Sequence, residues 1–260
     1  MTRPPGRFIR QVRLDAADVP DPRRYPFSLP AVARLAGSPG ITLPAGVTFL
    51  VGENGTGKST LVEAVAVAAG LNPEGGSRNF RFATRSSESS LGARLRLTRG
   101  VHRPRTEFFL RAESYYNVAS EIERLDREGG GFGPPLLDSY GGVSPHERSH
   151  GESFIDLATN RFGPEGLYLL DEPEAALSVR GCLALVARMH QLVEQGSQLI
   201  VATHSPVLLA LPGATILEID DDGAVERVDF DAALPVRLTR QFLSAPERFL
   251  RPLLAPDPDD

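Results

Sequence analysis

Eight consecutive residues, Gly52-Glu53-Asn54-Gly55-Thr56-Gly57-Lys58-Ser59, match the pattern G-x-x-x-x-G-K-[ST] in full. In this pattern the glycines let backbone N–H groups converge on phosphate oxygens, and the helix that follows adds its dipole. The lysine reaches the β and γ phosphates of a nucleotide, and the serine hydroxyl ligates Mg²⁺. Residues Gly52 to Thr60 are therefore predicted to bind the phosphates of a nucleotide with Mg²⁺, Lys58 assisting catalysis and Ser59 holding the metal.

Two other apolar segments end in polar residues that suit phosphate chemistry. Residues 167–170 are followed by Asp171 and Glu172, and SQLIVATH ends at His204. An aspartate at such a strand end can hold Mg²⁺ directly or through water, and a glutamate beside it can orient and deprotonate an attacking water. A single histidine at a strand end is usually structural, but beside the other two motifs it can reach the γ-phosphate. We predict Asp171 as a metal ligand, and Glu172 and His204 as catalytic residues.

The stretch HERSHGESF, residues 146–154, has two incompatible interpretations. His146 to His150 fits H-E-x-x-H, in which two histidines on one helix face bind the zinc of a protease. Alternatively, Ser149-His150-Gly151-Glu152 forms a loop at a helix N-terminus, where an anion is favoured. The zinc interpretation is weaker, because Gly151 costs a continuous helix about 1 kcal/mol and position 156, where an extended zinc motif has histidine, is Asp156. It is kept as a remote alternative.

Composition limits the class of protein. The chain has 260 residues, of which 41% are hydrophobic and 23% charged, as in ordinary soluble globular proteins. The net charge of −5 gives no overall attraction to nucleic acid, and the single cysteine, Cys182, excludes an internal disulfide. No apolar stretch is long enough to span a bilayer, and the first residues lack the apolar part of a signal peptide. We therefore expect a cytoplasmic protein.

Strands and helices are predicted to alternate around these motifs. Hydrophobic periodicity predicts strands at 46–51, 106–112, 166–172, 197–204 and 214–220, and helices at 59–69, 114–127, 151–161 and 178–195. Residues 71–90 are predicted as a loop, residues 93–98 and 106–112 as a hairpin, and residues 221–223 as a hairpin turn. This alternation predicts an α/β fold with a mainly parallel sheet flanked by helices.

In this order, the motifs resemble those of the ATP-binding cassette (ABC) ATPases, in the branch close to the chromosome-maintenance and DNA-repair ATPases. Gly52–Ser59 resembles Walker A, and Asp171-Glu172 resembles Walker B with its catalytic glutamate. Ser149-His150-Gly151-Glu152 is similar to the signature loop LSGGQ, residues 174–178 to the D-loop, and His204 to the switch histidine. The resemblance covers about residues 46–205.

The resemblance implies a single P-loop NTPase domain of the ABC type over residues 1–260. Its core would comprise about residues 1–75 and 164–245, with a small antiparallel β element. About residues 76–163 would form an arm and a helical signature subdomain, and residues 255–260 a frayed tail.

The resemblance also implies that two subunits share each ATP. The P-loop of one subunit would bind the phosphates, and Ser149, Gly151 and Glu152 of another would close over them. This predicts an ATP-dependent, head-to-tail dimer, expected to be a homodimer, that reopens on hydrolysis at Glu172. In this interpretation HERSHGESF is half of an active site.

Two departures from the family pattern affect individual residues. His150 replaces a signature glycine, and no glutamine follows strand 106–112 at the expected Q-loop position. Glu113 is the nearest substitute and is predicted as a metal ligand. Tyr25 is a candidate for stacking on adenine, but it can equally be a packing residue at a sheet edge.

Three outputs remain open at this stage. We favour a stand-alone ATPase that changes the conformation of a nucleic-acid or soluble protein partner; the alternatives are the ATPase subunit of an ABC transporter with a membrane partner, and a small-molecule kinase. A stretch rich in arginine and phenylalanine can contact phosphate backbones or can be a solvated face above buried aromatic rings. Its residues are Arg78, Phe80, Arg81, Phe82, Arg85, Arg94, Arg96, Arg99, Arg103, Arg105, Phe108, Phe109 and Arg111.

Overall fold

The computed structural model describes residues 6–73, 75–76, 89–112 and 150–254, and in these residues it contains nine strands and eight α-helices. The strands are β1 (Ile9–Leu14), β2 (Ile41–Thr42), β3 (Val47–Gly52), β4 (Leu95–Arg99), β5 (Thr106–Arg111), β6 (Gly166–Asp171), β7 (Gln198–Ala202), β8 (Thr215–Ile219) and β9 (Val225–Val228). The helices are α1 (Pro30–Leu35), α2 (Lys58–Ala69), α3 (Ser89–Gly92), α4 (His150–Arg161), α5 (Val179–Glu194), α6 (Pro206–Leu209), α7 (Leu234–Ser244) and α8 (Pro246–Leu253).

Six strands form the larger sheet, in the order β5-β6-β7-β3-β8-β9. All pairs are parallel except β8 with β9, which are antiparallel. Every residue of β3, β6 and β7 is buried, as expected for central parallel strands covered on both faces. The predicted mainly parallel sheet is confirmed, and so is the hairpin turn between β8 and β9.

Three strands form a smaller antiparallel sheet in the order β2-β1-β4. The predicted hairpin of residues 93–98 with 106–112 is wrong, because β4 pairs with β1 and β5 pairs in parallel with β6. The connection between them carries the chain from one sheet to the other: Gly100 N–H donates to Phe8 O, and Arg105 N–H donates to Glu165 O, both at 2.9 Å. Hydrophobic alternation identified the two strands but not their partners.

The buried Gln198, at the start of β7, joins the two sheets. Its Oε1 accepts hydrogen bonds from the N–H groups of Phe8 (2.7 Å) and Ile9 (2.9 Å). Its Nε2 donates to Ile9 O at 2.8 Å and to Pro44 O at 3.0 Å. One side chain thus satisfies backbone groups at the start of the smaller sheet, where β1 begins.

Helices cover both faces of the larger sheet. On one face, Phe108 and Leu170 belong to the apolar core that also includes residues of α4 and α5; on the other, Phe109 and Leu169 belong to the core that includes residues of α2. Adjacent strand residues point to opposite faces, so each apolar strand contributes to both cores. The sheet is therefore held between α2 and the α4–α5 pair.

Two helices near the end of the described chain, α7 and α8, were not predicted from the sequence. Helix α7 buries Val236 against the core, and α8 packs against α7, with the rings of Phe242 and Phe249 6.0 Å apart. No helix among the described residues is long and apolar enough to cross a membrane.

Several predictions lie outside the described residues. These are helix 114–127, the tail 255–260, most of the loop predicted at 71–90, and the side chains of Arg78, Arg81, Arg85, Phe80 and Phe82.

Candidate functional site

The order of strands in the larger sheet brings three of the sequence motifs together. Strands β6, β7 and β3 are neighbours, with Asp171 opposite Ala202 and Ala202 opposite Leu50. Parallel strands end at the same edge of a sheet, the edge at which α/β proteins bind ligands. The loop after β3, Glu172 after β6 and His204 after β7 therefore lie side by side.

The loop from Gly52 to Ser59 has the backbone that its glycines require. Gly57 has a left-handed conformation (φ 104°) and precedes α2, and a Cβ at Gly57 would lie 3.4 Å from the Cβ of Leu29. At Gly52 (φ 148°) a Cβ would collide with the carbonyl oxygen of Ile219. Glu53, Asn54 and Gly55 are exposed, whereas Ser59 and Thr60, in the first turn of α2, are half-buried. An anion can therefore approach the exposed loop and the start of the helix.

Lys58 is buried inside this loop, with 4% of its surface exposed. Its Nζ donates to the carbonyl oxygens of Gly52 and Glu53, both at 2.9 Å. Burial lowers the pKa of Lys58, and the nearby carboxylates of Glu172 and Asp171 oppose this shift. The ammonium is thus held within the loop and close to both acidic residues.

Asp171, the last residue of β6, is 3% exposed. Its Oδ2 accepts a hydrogen bond from Arg111 Nε at 3.0 Å, and its Oδ1 is buried without a hydrogen-bond partner among the described residues. Carboxylate oxygen is a preferred Mg²⁺ ligand, and Mg²⁺ usually takes only one or two protein ligands, with water and phosphate supplying the rest. The unsatisfied Oδ1 and the hydroxyl of Ser59 fit this donor set.

Glu172 and His204 face each other beside Asp171. Glu172 Oε1 lies 3.9 Å from His204 Nε2, and both side chains are partly exposed. Glu172 has a left-handed backbone (φ 48°, ψ 50°), and its N–H donates to Ala202 O at 3.0 Å. This conformation is uncommon for a residue with a side chain, and here it directs the chain sharply out of the strand at the predicted catalytic residue.

Glu174 belongs to this site but was predicted only as part of the D-loop. Its Oε1 accepts the backbone N–H of His204 at 2.6 Å, and its Oε2 is buried without a hydrogen-bond partner in the described part of the chain. The sequence signal was a second carboxylate two residues after Glu172. Its contact with the loop after β7 depends on strand order, which the motif alone does not give.

Arg111 and Glu63 were also missed as site residues. Arg111 forms an ion pair with Asp171, and its Nη1 lies 3.2 Å from Glu63 Oε2 on α2. No motif contains either residue, and Arg111 had been considered only as part of the basic stretch.

The second half of the predicted site is described in part. Helix α4 includes Gly151 and the exposed Glu152, and it packs against the short 3-10 helix Pro173–Ala176 that follows Glu172. A Cβ at Gly151 would lie 3.1 Å from Ala176 O, which is a tight contact, so a side chain here would require a small shift between these elements. Ser149 and Glu113 lie outside the described residues, so their predicted roles stay predictions.

The zinc interpretation depends on His146 and Glu147, which the described ranges also do not include. Within those ranges no three His, Cys, Asp or Glu side chains form a group that can hold a metal ion.

The basic stretch is divided between the two sheets. Arg96 pairs with Asp18 Oδ2 at 2.9 Å, Arg94 donates to Asp18 O at 3.0 Å, and Arg99 donates to the carbonyls of Ala68 and Ala69 at 3.4 Å. Phe108 and Phe109 are buried. Tyr25, the candidate for adenine stacking, is 60% exposed.

Comparisons with known proteins agree with these motifs. A family model described as an AAA domain matches residues 37–129, a range that contains the loop Gly52–Ser59. Two curated proteins are similar in sequence. The brefeldin A resistance protein of Schizosaccharomyces pombe is 26% identical over 190 residues, 66% of this chain. The ribose import ATP-binding protein RbsA 1 of Rubrobacter xylanophilus is 27% identical over 222 residues, 78% of this chain.

The matched parts make up 12% of the first protein and 42% of the second, so the chain spans less than half of either. Among solved structures, the SMC head domain from Thermotoga maritima is similar with a TM-score of 0.39 and 14% sequence identity. That similarity covers 73% of this chain and 93% of the head domain.

Proposed function

We propose that this chain is an ABC-type P-loop ATPase, which binds ATP with Mg²⁺ at the loop Gly52–Ser59 and hydrolyses it with Glu172. One observation carries the proposal: Lys58, Asp171, Glu172 and His204 lie where adjacent parallel strands end, at one sheet edge. Such an arrangement provides phosphate binding, a metal-binding carboxylate and a candidate base in one place.

Phosphate binding is assigned to the loop and to Lys58. The backbone N–H groups of the loop and the N-terminus of α2 can attract phosphate oxygens. The Lys58 ammonium is held by two carbonyl oxygens, and it transfers from these neutral acceptors to the β and γ phosphates, which are charged and bind it more strongly. Ser59 and Asp171 would hold Mg²⁺, which would supply positive charge to neutralise the transferring phosphoryl group.

Activation of water is assigned to Glu172. A partly exposed carboxylate beside the phosphate site can accept the proton of an attacking water. His204, 3.9 Å from Glu172, stabilises charge on the γ-phosphate. Glu174 holds the loop that carries His204 through the hydrogen bond to its backbone N–H, and so sets where the imidazole lies.

A head-to-tail dimer completes the site in this proposal. Ser149, Gly151 and Glu152 of one subunit lie against the ATP bound by the other, at the N-terminus of α4, where the helix dipole favours an anion. The packing of α4 against Pro173–Ala176 supports this assignment, because it links the signature helix to the segment that follows Glu172.

Lys58→Ala and Glu172→Gln test the nucleotide chemistry. We expect Lys58→Ala to lose ATP binding, measured with a fluorescent ATP analogue. Glu172→Gln should keep that binding but release phosphate about 100-fold to 10,000-fold more slowly. Full turnover by Glu172→Gln would contradict the role of Glu172, and the absence of Mg²⁺-dependent ATP binding by the unmodified protein would contradict the proposed function.

The output that we propose is a conformational change in a nucleic-acid or soluble protein partner. A second candidate, the ATPase subunit of an ABC transporter, is favoured by the similarity to the ribose import protein. Recovery of material bound to Glu172→Gln with ATP and Mg²⁺, against Lys58→Ala as control, separates the two. A membrane protein recovered only with Glu172→Gln would support the transporter, and nucleic acid or a soluble protein would support the first.

A further inference from the structure

Arg111, the last residue of β5, lies between two buried carboxylates. Its Nε is 3.0 Å from Asp171 Oδ2 and its Nη1 is 3.2 Å from Glu63 Oε2. The side chain of Arg111 is 20% exposed, that of Glu63 is 7% exposed and that of Asp171 is 4% exposed. A planar guanidinium suits this geometry because its N–H donors point in fixed directions and can engage two carboxylates at once.

The two carboxylates belong to the two elements that carry the metal-binding residues. Asp171 ends β6, and Glu63 lies in α2 four residues after Ser59. Residues four apart share one face of a helix, one turn from each other. Arg111 therefore connects the helix that presents the Ser59 hydroxyl to the strand that presents Asp171.

The same contact determines which oxygen of Asp171 is available. Arg111 occupies Oδ2, whereas Oδ1 is buried and has no hydrogen-bond partner among the described residues. Burial of such an acceptor is unfavourable unless it gains a ligand. The orientation imposed on Oδ2 thus fixes Oδ1 as the oxygen left for Mg²⁺.

We propose that Arg111 is a positioning residue for the Mg²⁺ site, which sets the separation between Ser59 and Asp171 and directs Asp171 Oδ1 to the metal. This role rests on the proposed ATP and Mg²⁺ binding. The same contacts would also be found in an ion pair that only stabilises the fold. Removing one partner of such a buried pair leaves an uncompensated charge and destabilises the fold. The two roles differ in their effect on metal affinity.

Arg111→Lys tests the role, because it keeps the positive charge but replaces the planar fork with a single ammonium. The measurement is the Mg²⁺ concentration that gives half-maximal binding of a fluorescent ATP analogue, with Mn²⁺ binding followed by electron paramagnetic resonance as a second readout. We expect Arg111→Lys to weaken Mg²⁺ and Mn²⁺ binding about 10-fold to 100-fold, as is typical when a residue that orients a metal ligand is changed. Nucleotide affinity in EDTA should change by less than about twofold, because the P-loop contacts require no metal.

Arg105→Lys is the matched control. Arg105 pairs with Glu165 at the opposite end of β5 and β6 and is largely exposed, so this variant should keep the metal affinity of the unmodified protein. Glu63→Gln is the second variant: it retains the pair of Arg111 with Asp171 but weakens the link to α2. It should reduce Mg²⁺ affinity in the same direction as Arg111→Lys, by a smaller factor.

The outcomes separate this inference from the proposed function. Unchanged Mg²⁺ and Mn²⁺ affinities in both Arg111→Lys and Glu63→Gln, with normal binding by the unmodified protein, would overturn the role of Arg111 alone. Lower thermal stability with unchanged metal affinity would assign Arg111 a structural role and likewise overturn the inference. Failure of the unmodified protein to bind ATP with Mg²⁺ would overturn the proposed function and this inference together.

Discussion

At the scale of single residues, the candidate site places a buried positive charge among carboxylates. Lys58 is the one lysine of the chain, and it is 4% exposed. Its two hydrogen bonds to backbone carbonyls offset only part of the cost of removing an ammonium from water. The lowered pKa of Lys58, due first to burial, reflects this cost and leads to a pH-dependent stability.

Comparison of the unmodified protein with Lys58→Met should reveal this dependence. The folded pKa of Lys58 lies below its ordinary value of 10.5, so between these two pKa values the unfolded chain binds more protons than the folded one. Stability then rises with pH across that window. We expect the unfolding free energy of the unmodified protein, without nucleotide, to increase relative to Lys58→Met as pH rises toward 10.5. Urea unfolding of both proteins from about pH 8 upward measures these free energies. A difference between the two proteins that does not change with pH would contradict the prediction.

Replacement of Glu174 should slow hydrolysis without weakening nucleotide binding. Glu174→Ala removes the acceptor for the His204 N–H, so the loop carrying the imidazole is no longer fixed. Small displacements of catalytic groups can lower rates about 100-fold, and we expect phosphate release to fall by about 10-fold to 100-fold. Glu194→Ala, an exposed residue on α5, should have no effect. Equal rates for the two variants would exclude a positioning role for Glu174.

The difference between predicted and missed site residues has a physical reason. The positions of Lys58, Asp171 and Glu172 at one sheet edge were predictable because each ends or follows a strand within a local sequence pattern. Arg111 and Glu174 contact Asp171 and His204, which are far away from them in sequence. Such contacts exist only once the strand order is set, and that order is not encoded in any short motif.

At the scale of elements, the two sheets depend on the buried Gln198. Four hydrogen bonds run between its amide and backbone groups of Phe8, Ile9 and Pro44. The N–H groups of Phe8 and Ile9 bond to Gln198 in the buried interior, where β1 begins. The start of β1 is therefore attached to β7 by a single polar side chain.

Gln198→Leu should strongly destabilise the fold. The leucine fills a similar volume but leaves buried backbone groups without partners, each at a cost of about 1–3 kcal/mol. We expect a loss of about 3–5 kcal/mol in the free energy of unfolding, measured by urea denaturation. Gln241→Leu on the exposed surface of α7 is the control, with a change of less than about 0.5 kcal/mol. An equally small change in the unfolding free energy of Gln198→Leu would show that the hydrogen bonds of Gln198 contribute little to holding the two sheets together.

The elements themselves were largely predictable, but their partners were not. Strands β3, β6, β7 and β8 and helices α2 and α5 follow clear apolar patterns. The short connection between β4 and β5 also suggested a hairpin, because hairpins are the usual result of two strands joined by a few residues. Instead β5 pairs with β6 along its whole length, which buries Phe108 and Phe109 on both faces of the larger sheet.

At the scale of the whole molecule, the proposed ATPase is complete only as a dimer. In the proposed head-to-tail dimer, helix α4 and the P-loop of one subunit would belong to different ATP sites. Nucleotide binding and dimer formation should therefore be separable by substitution on α4, whereas a change in the P-loop should remove both.

Gly151→Val, introduced together with Glu172→Gln, should separate nucleotide binding from dimer formation. A Cβ at Gly151 is already 3.1 Å from Ala176 O, so the larger side chain displaces the start of α4 and obstructs the approach of the second subunit. We expect ATP binding to persist while the ATP-dependent increase to dimeric mass, measured by light scattering after size exclusion, disappears. Gly163→Ala has open space around its added Cβ and should dimerise normally. A dimer of Gly151→Val would place the interface elsewhere.

The left-handed backbone of Glu172 (φ 48°, ψ 50°) has a consequence for attempts to engineer this protein. A side chain in that conformation costs about 1–2 kcal/mol, which glycine avoids and asparagine tolerates better. Selection for heat tolerance alone should therefore enrich Glu172→Gly and Glu172→Asn, variants with a higher melting temperature but without the carboxylate that we propose activates water. Directed evolution of this protein for stability would therefore accumulate substitutions at position 172 that lack ATPase activity, unless each round also selects for ATP turnover.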